Sequence, residues 1–323
     1  MAIHRLGEDA ISFTGAQVGI ITDDSFTRAR IIDINAKRLI EELRKRKVAI
    51  VAGFQGVNIN QEITTLGRGG SNLTAVAIAK VLNAQCCEMY TDVEGVFTTD
   101  PRIVKNARKL DKISYEEMFE LASLGAQVLQ PRSIEFAMKF GVPIHVRSSF
   151  TESAGTIISK EVKAMEDIVV SGVAINKDEA KVTICDVPDK PGIAAKIFKD
   201  IAGEDINVDM IVQNVSRTGE TDVTFTVPGA DLNRTIRVSK DISKKIGAGD
   251  VTFDKEIAKV SIVGIGMKSH SGVAAKMFEA LADKGINIEM ISTSEIKISC
   301  VVKKGYGERA VRAIHDKFEL GKK

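Results

Sequence analysis

An internal repeat narrows the possible fold more than any other feature. GIAAKIFKDIAGEDINVDMI (192–211) lines up with GVAAKMFEALADKGINIEMI (272–291), with ten of twenty positions identical. Each copy follows a strand-like segment, KVTICDV or KVSIVGI, and precedes another, TDVTFTV or EIKISCVV. The unit is therefore strand, Gly-bearing loop, amphipathic helix, strand, strand. Two copies about eighty residues apart are too few to stack as a solenoid. A pair of small α+β modules packed side by side accounts for them, with repeats near 180–228 and 258–303.

The sequence ahead of the repeat alternates strand and helix. VAIVAGF (48–54), CCEMYTDV (86–93) and VPIHVRSS (142–149) read as short buried strands. Ser71 to about Asn83 has helical spacing behind a Ser cap. SYEEMFELASLG opens on a Ser with Glu three residues on, a capping box, and ends at Gly. GAQVLQPRSIEFAMKFG predicts another helix around Pro131. This alternation predicts an α/β fold, a mostly parallel sheet sandwiched by helices. GTIISKEVKAMED (155–167) is charged and irregular and marks the boundary. The expected division is an α/β domain over 1–158 and the paired α+β modules over 159–323.

A chain of 323 residues accommodates two or three such domains. The formal charge is +2, with Lys and Arg dispersed, which argues against a nucleic-acid partner. No apolar run approaches the roughly 20 residues that span a bilayer, and MAIHRLGEDA lacks the apolar core of a signal peptide. A cytoplasmic enzyme or regulator is expected. Cys86, Cys87, Cys185 and Cys300 match no zinc spacing, and His4, His145, His270 and His315 are scattered, so no metal cage is expected.

Chemistry concentrates in ITTLGRGGSNLTAVAIA (63–79). Glycines let backbone N–H groups approach an anion, a helix start adds favourable partial charge, and Arg68 supplies a planar fork for carboxylate or phosphate. The alternative is a tight turn with a surface Arg. In YTDVEGVFTTDPRIV (90–104), Thr91 and Asp92 at a strand end could meet a base or ribose. Arg102, after the rigid Asp100-Pro101 step, could reach a phosphate; an ordinary strand-turn is the alternative. In the repeats, DKPGIAA (189–195) and KSHSGVAA (268–275) place a Gly at a helix start. Free N–H groups there would hold a zwitterion's carboxylate, or simply form a capped structural helix.

VAGFQGVN, TTLGRGGS, TDVEGVFTTDPR and EEMFELASLGA, in that order, resemble the aspartokinases of the amino acid kinase family. DKPG, INVDMIVQN, GMKSH and STSEI resemble the paired ACT regulatory domains of the same enzymes, whose modules are ferredoxin-like. The resemblance covers essentially the whole chain. It implies transfer of the γ-phosphoryl of MgATP to the β-carboxylate of L-aspartate, with ATP and Mg2+ as cofactors and with feedback by lysine, threonine or both. By motif, Arg68 would grip an aspartate carboxylate, while Thr65, Gly69, Gly70 and Ser71 would shape the substrate and phosphate pocket. Thr91, Asp92, Phe97, Arg102 and Gln127 would line the nucleotide. Effectors would meet Asp189, Gly192, Ile193, Ala194, Asn207, Gln213 and Asn214 in the first module. In the second they would meet Asn287, Ile288 and Ser294. A homodimer through the ACT modules, or a hetero-oligomer with another subunit, is implied.

Three departures stand out. The family's Lys-(Phe/Tyr)-Gly-Gly-(Thr/Ser) loop has no counterpart here, so the resemblance begins inside the catalytic domain and Met1 reads as an internal methionine. Asn72 stands where the family has Asp, and Gln127 where it has Lys; both losses fall at the charged centre of the reaction. The alternative function is therefore a truncated or non-catalytic amino-acid-binding regulatory subunit. Met165-Glu166 resembles the start of such a short ACT subunit.

Overall fold

The computed structural model describes residues 1–126, 128–160, 169–214 and 219–322. Gln127 and the Met165-Glu166 step lie outside the described residues. The chain divides into two compact units, Met1–Thr98 with Arg108–Asp167, and Thr99–Ala107 with Ile168–Lys323.

The first unit runs α1 (Ala2–Arg5), β1 (Ala10–Phe13), α2 (Gly15–Val18), β2 (Ile20–Thr22), β3 (Ile31–Ile34), α3 (Lys37–Arg44), β4 (Val48–Val51), β5 (Gln55–Val57), β6 (Ile63–Thr65), α4 (Gly70–Val81), β7 (Cys87–Thr91), β8 (Lys112–Ser114), α5 (Tyr115–Ser123), α6 (Pro131–Phe140), β9 (Ile144–Ser148) and β10 (Thr156–Ser159). Three sheets result, ordered β1-β4, β3-β2-β5-β6 and β7-β9-β10-β8. Pairing is parallel at β1/β4, β2/β5, β7/β9 and β8/β10. It is antiparallel at β2/β3, β5/β6 and β9/β10. The fold is thus mixed α/β. The capping signals of α5 and α6 act as read, but Ser71 does not cap α4: it lies inside that helix, whose N-cap is Gly69 with no side-chain hydrogen bond. Ser114 Oγ accepts from Glu117 N, and Glu117 returns the bond to Ser114 N, which starts α5. Pro131 opens α6, where its missing N–H costs nothing, and left-handed Gly141 closes it.

The second unit runs β11 (Gly172–Asn176), β12 (Glu179–Pro188), α7 (Ile193–Gly203), β13 (Ile211–Gln213), β14 (Glu220–Pro228), α8 (Leu232–Ile246), β15 (Val251–Asp254), β16 (Ile257–Val263), α9 (Val273–Ala282), β17 (Met290–Thr293), β18 (Lys297–Lys303) and α10 (Gly307–Lys317). Its two antiparallel sheets have matching order, β15-β12-β14-β13 and β11-β16-β18-β17. Over the following stretches both modules alternate with period two. Ala180, Val182 and Ile184 of β12 face a core with α7 and α8, and Ala258, Val260 and Ile262 of β16 face one with α9 and α10.

The modules are interleaved, which the repeat does not reveal. The fourth strand of the second module is β11, which precedes the first module in the chain and pairs with β16 over five residues from Gly172↔Val263 to Asn176↔Lys259. Gly307 at the start of α10 lets that helix close on it: a Cβ there would come within 2.7 Å of Ile175 and 3.0 Å of Ala258. A sheet of β16, β18 and β17 alone would leave the outward-facing edge of β16 unpaired, and β11 satisfies its backbone groups.

Candidate active site

The glycine loop is held between two hairpin arms. Thr65 N and Oγ1 both donate to Phe26 O, at 2.8 and 3.1 Å, and Leu66 N donates to Phe54 O at 2.9 Å. The chain then passes through left-handed Gly67 (φ 78°) and Gly69 (φ 74°) into α4. Gly69 is the N-cap and offers no side chain to the helix, so the first-turn N–H groups of Ser71 and Asn72 remain for a ligand. Glycine is required at position 69, since a Cβ would sit 1.8 Å from Gln130 Cγ. Ser71 lies over the backbone of Gly53, within 3.0 Å of where a Cβ would be. Thr74 Oγ1 ties both pieces together, donating to Gly70 O at 2.9 Å and accepting from Phe54 N at 3.1 Å.

Two arginines are exposed at this loop, Arg68 within it and Arg28, whose Cγ flanks Gly67. A third, Arg132, was invisible to sequence reasoning. From the first turn of α6 it donates Nη1 to Leu66 O at 2.7 Å and Nη2 to Ala29 O at 2.6 Å. It clamps the carbonyl just before Gly67-Arg68. The Pro-Arg step at a helix start was its one local signal. Half-buried Asn72 donates Nδ2 to Met89 Sδ at 3.4 Å, a weak bond from α4 to β7.

Thr91 ends β7 as a tight hydroxyl turn, accepting from Val93 N at 3.1 Å, and leaves Asp92 exposed. Phe97 bridges to Lys109, whose Nζ donates to Ser153 at 2.8 Å. Thr65, Arg68, Gly69, Gly70, Ser71, Asn72, Thr91, Asp92 and Phe97 all fall in the first unit. Arg102 falls in the second, within Thr99–Ala107. Its guanidinium grips Asp100 through Nε at 3.0 Å and Nη2 at 2.8 Å. That side-chain hydrogen bond holds the Asp100 carboxyl below its usual range, against a lesser opposing effect of burial. Neighbouring Val104 is 5% exposed in the core of the second module. Among the described residues no group of three or more His, Cys, Asp or Glu could hold a metal ion, and no helix is long and apolar enough to cross a membrane.

The effector candidates form separate groups. Left-handed Gly192 caps α7 ahead of Ile193 and Ala194, as left-handed Gly272 caps α9. Asp189 N donates to Gly219 O at 2.9 Å and Thr221 Oγ1 to Asn214 O at 2.9 Å, which gathers Asp189, Gln213 and Asn214 at the same end of the first sheet. Asn207 follows the other end of α7, about 16 Å along the helix. In the second module Asn287 and Ile288 follow α9, while Ser294 lies beyond β17.

Known proteins share this organisation. The amino acid kinase family model matches residues 1–148, and the ACT domain model matches 186–241 and 260–318. Aspartate kinase of Pseudomonas fluorescens is 54% identical over 321 residues, covering 99% of this chain and 78% of that one. Aspartokinase of Corynebacterium glutamicum is 50% identical over 326 residues, covering 99% and 77%. Among solved structures, E. coli aspartokinase III in complex with aspartate and ADP superposes with a TM-score of 0.82 at 26% identity, covering 98% of this chain and 71% of that chain. The same enzyme with lysine and aspartate gives 0.74 at 27% identity, covering 98% and 71%.

Proposed function

The chain belongs to the aspartate kinases of the amino acid kinase family, with tandem ACT domains, and from that premise we propose how its residues bind and are regulated. Residues 1–158 serve as the kinase part and 159–323 as the regulatory part, with the difference that Thr99–Ala107 groups with the second unit. The observation that carries the reading is the clamped glycine loop, with open N–H groups at the start of α4 beside exposed Arg68. That arrangement supports a carboxylate on Arg68 and a phosphate against Gly69, Gly70 and Ser71.

L-Aspartate is the acceptor. One oxygen of its β-carboxylate forms a bond to the γ-phosphorus of ATP as the bridging bond to the β-phosphate breaks, and ADP leaves. Such transfer depends on positioning and on neutralising spread negative charge, not on a covalent enzyme intermediate. Thr91, Asp92 and Phe97 flank the nucleotide. Mg2+ would enter with the nucleotide, and the chain would need to supply no more than one or two carboxylates to hold it. The exposed Asp92 carboxylate is the residue suited to complete its shell. When bound, the ion neutralises phosphate charge. Lysine, threonine or both bind at the ACT helix starts, Gly192–Ala194 with Asp189 and Asn214, in a dimer joined through the ACT modules.

The test is aspartyl phosphate formation by the purified chain, trapped with hydroxylamine. Aspartate-dependent product that falls at least tenfold in kcat/KM in Arg68→Ala is expected. Product formation indifferent to Arg68 would refute the assigned carboxylate grip. No product from folded protein would favour an amino-acid-binding regulatory chain.

A further inference from the structure

The carboxyl ends of β7 and β9 carry an aromatic ring that the site described so far does not use. The two strands run parallel, in register from Cys87↔Ile144 to Thr91↔Ser148. Ser149 N extends the ladder by one step and donates to Thr91 O at 2.8 Å. Phe150 therefore follows at once on the strand end that meets Thr91-Asp92, and both belong to the first unit. The carboxyl ends of parallel strands are where α/β sheets take their ligands.

The loop that bears Phe150 is tied down along its length. Phe150 N donates to the Oγ of buried Ser148 at 3.1 Å. Thr151 Oγ1 donates to Glu94 Oε1 at 3.3 Å, and Ser153 Oγ accepts from Lys109 Nζ at 2.8 Å. Thr156 Oγ1 accepts from Val96 N at 2.9 Å and donates to Leu110 O at 2.5 Å. The ties beyond Ser148 thus run to the loop after Thr91-Asp92, or to Lys109-Leu110, which pairs with it. The ring itself stays outside: Phe150 is 80% exposed. Phe97 is not free to take its place, being half-buried in its bridge to Lys109. A ring left in water forgoes the stabilisation of burial. Fixed by its backbone beside this strand end, it offers a flat π-face to a planar ligand.

We propose that Phe150 binds the base of the nucleotide, its ring stacking on the adenine of ATP. The inference rests on the reading that places the nucleotide at Thr91, Asp92 and Phe97, and it adds the group that holds the base. Stacking reads the π-face and not the hydrogen-bonding edge. The ring therefore contributes affinity for adenine and guanine nucleotides alike, and choice between them lies with other groups.

Calorimetric titration of the full chain with MgATP and MgGTP, alongside the hydroxamate assay, tests the proposal. Phe150→Ala should weaken both nucleotides about fivefold or more. It should raise the KM for ATP by the same factor and leave the KM for aspartate unchanged. Phe150→Tyr, which keeps the flat ring, should retain the affinity, and Phe150→Leu, apolar but not planar, should recover only part of it. Thermal melts of all three variants should match the parent, because so exposed a ring contributes little to the fold. Absence of MgATP binding by the folded chain overturns the nucleotide reading and this inference with it. Binding that Phe150→Ala leaves unchanged overturns the stacking alone, as does Leu performing as well as Tyr. A change of oligomeric state in Phe150→Ala, with MgATP affinity intact, overturns it too and assigns the ring to a contact between copies.

Discussion

Arg132→Met removes the guanidinium that clamps the glycine loop while keeping most of the stem. Two hydrogen bonds from a charged donor are lost, to Leu66 O at 2.7 Å and Ala29 O at 2.6 Å. Each such bond contributes about 1.5–3 kcal/mol. Arg132 is only partly buried, so water replaces some of this, and the expected loss is about 2–4 kcal/mol. Leu66 directly precedes Gly67-Arg68, so the freed loop must be ordered again when aspartate binds. Fixing one or two residues costs about 1–2 kcal/mol each, which raises the KM for aspartate roughly tenfold with a smaller change in kcat. Arg132→Lys keeps the charge but not the fork. It should restore one bond and about half of both effects. Urea unfolding followed by circular dichroism gives the stability change, and the hydroxamate assay gives KM and kcat. A stability change under about 0.5 kcal/mol with unchanged KM, or Lys performing no better than Met, would refute the clamp.

Three further outcomes are expected. Lys259→Met should destabilise the second unit by about 3–5 kcal/mol, because it leaves Glu179 and Asp209 without their cation; adding Glu179→Gln should recover part of the loss in thermal melts. Asn72→Asp should raise turnover, since it exchanges a weak bond to Met89 for a carboxylate in the first turn of α4, with little change in stability; unchanged or lower kcat would show that the amide serves the reaction as well. Buried His315 is held below its ordinary value of 6.5, chiefly by burial and against the attraction of Asp316. Below pH 6.5 the unfolded chain takes up a proton there that the folded chain refuses, so stability falls as pH falls through that window. His315→Gln should flatten the slope, as measured by urea unfolding at stepped pH.

Much of the local structure around the candidate site was readable because its cues are local. The glycines at 67 and 69 mark left-handed turns ahead of a helix, Ser114 and Glu117 mark a capping box, and the repeat marks two like modules. Each depends on residues a few positions apart, whose conformational preferences act whatever the rest of the chain does. The family followed from the order of such motifs. Arg132 was not readable as a clamp, because its partners are 66 and 103 residues away. Nor was the ion pair of Arg102 with Asp100 or its grouping with the second unit, since local spacing left an ordinary strand-turn and a phosphate contact equally open there.

The order of apolar and polar residues sets the period of each strand and helix, and hence which side chains share a face. Which faces and edges meet is a property of the packed chain. Nothing local in GVAIN (172–176) says that it completes the later module, because the backbone donors and acceptors of β16 are the same whichever strand satisfies them. Likewise nothing beside Glu179 in the chain marks it as a partner of buried Lys259, because in a low-dielectric interface a charge is stabilised by what lies within a few ångströms of it in space.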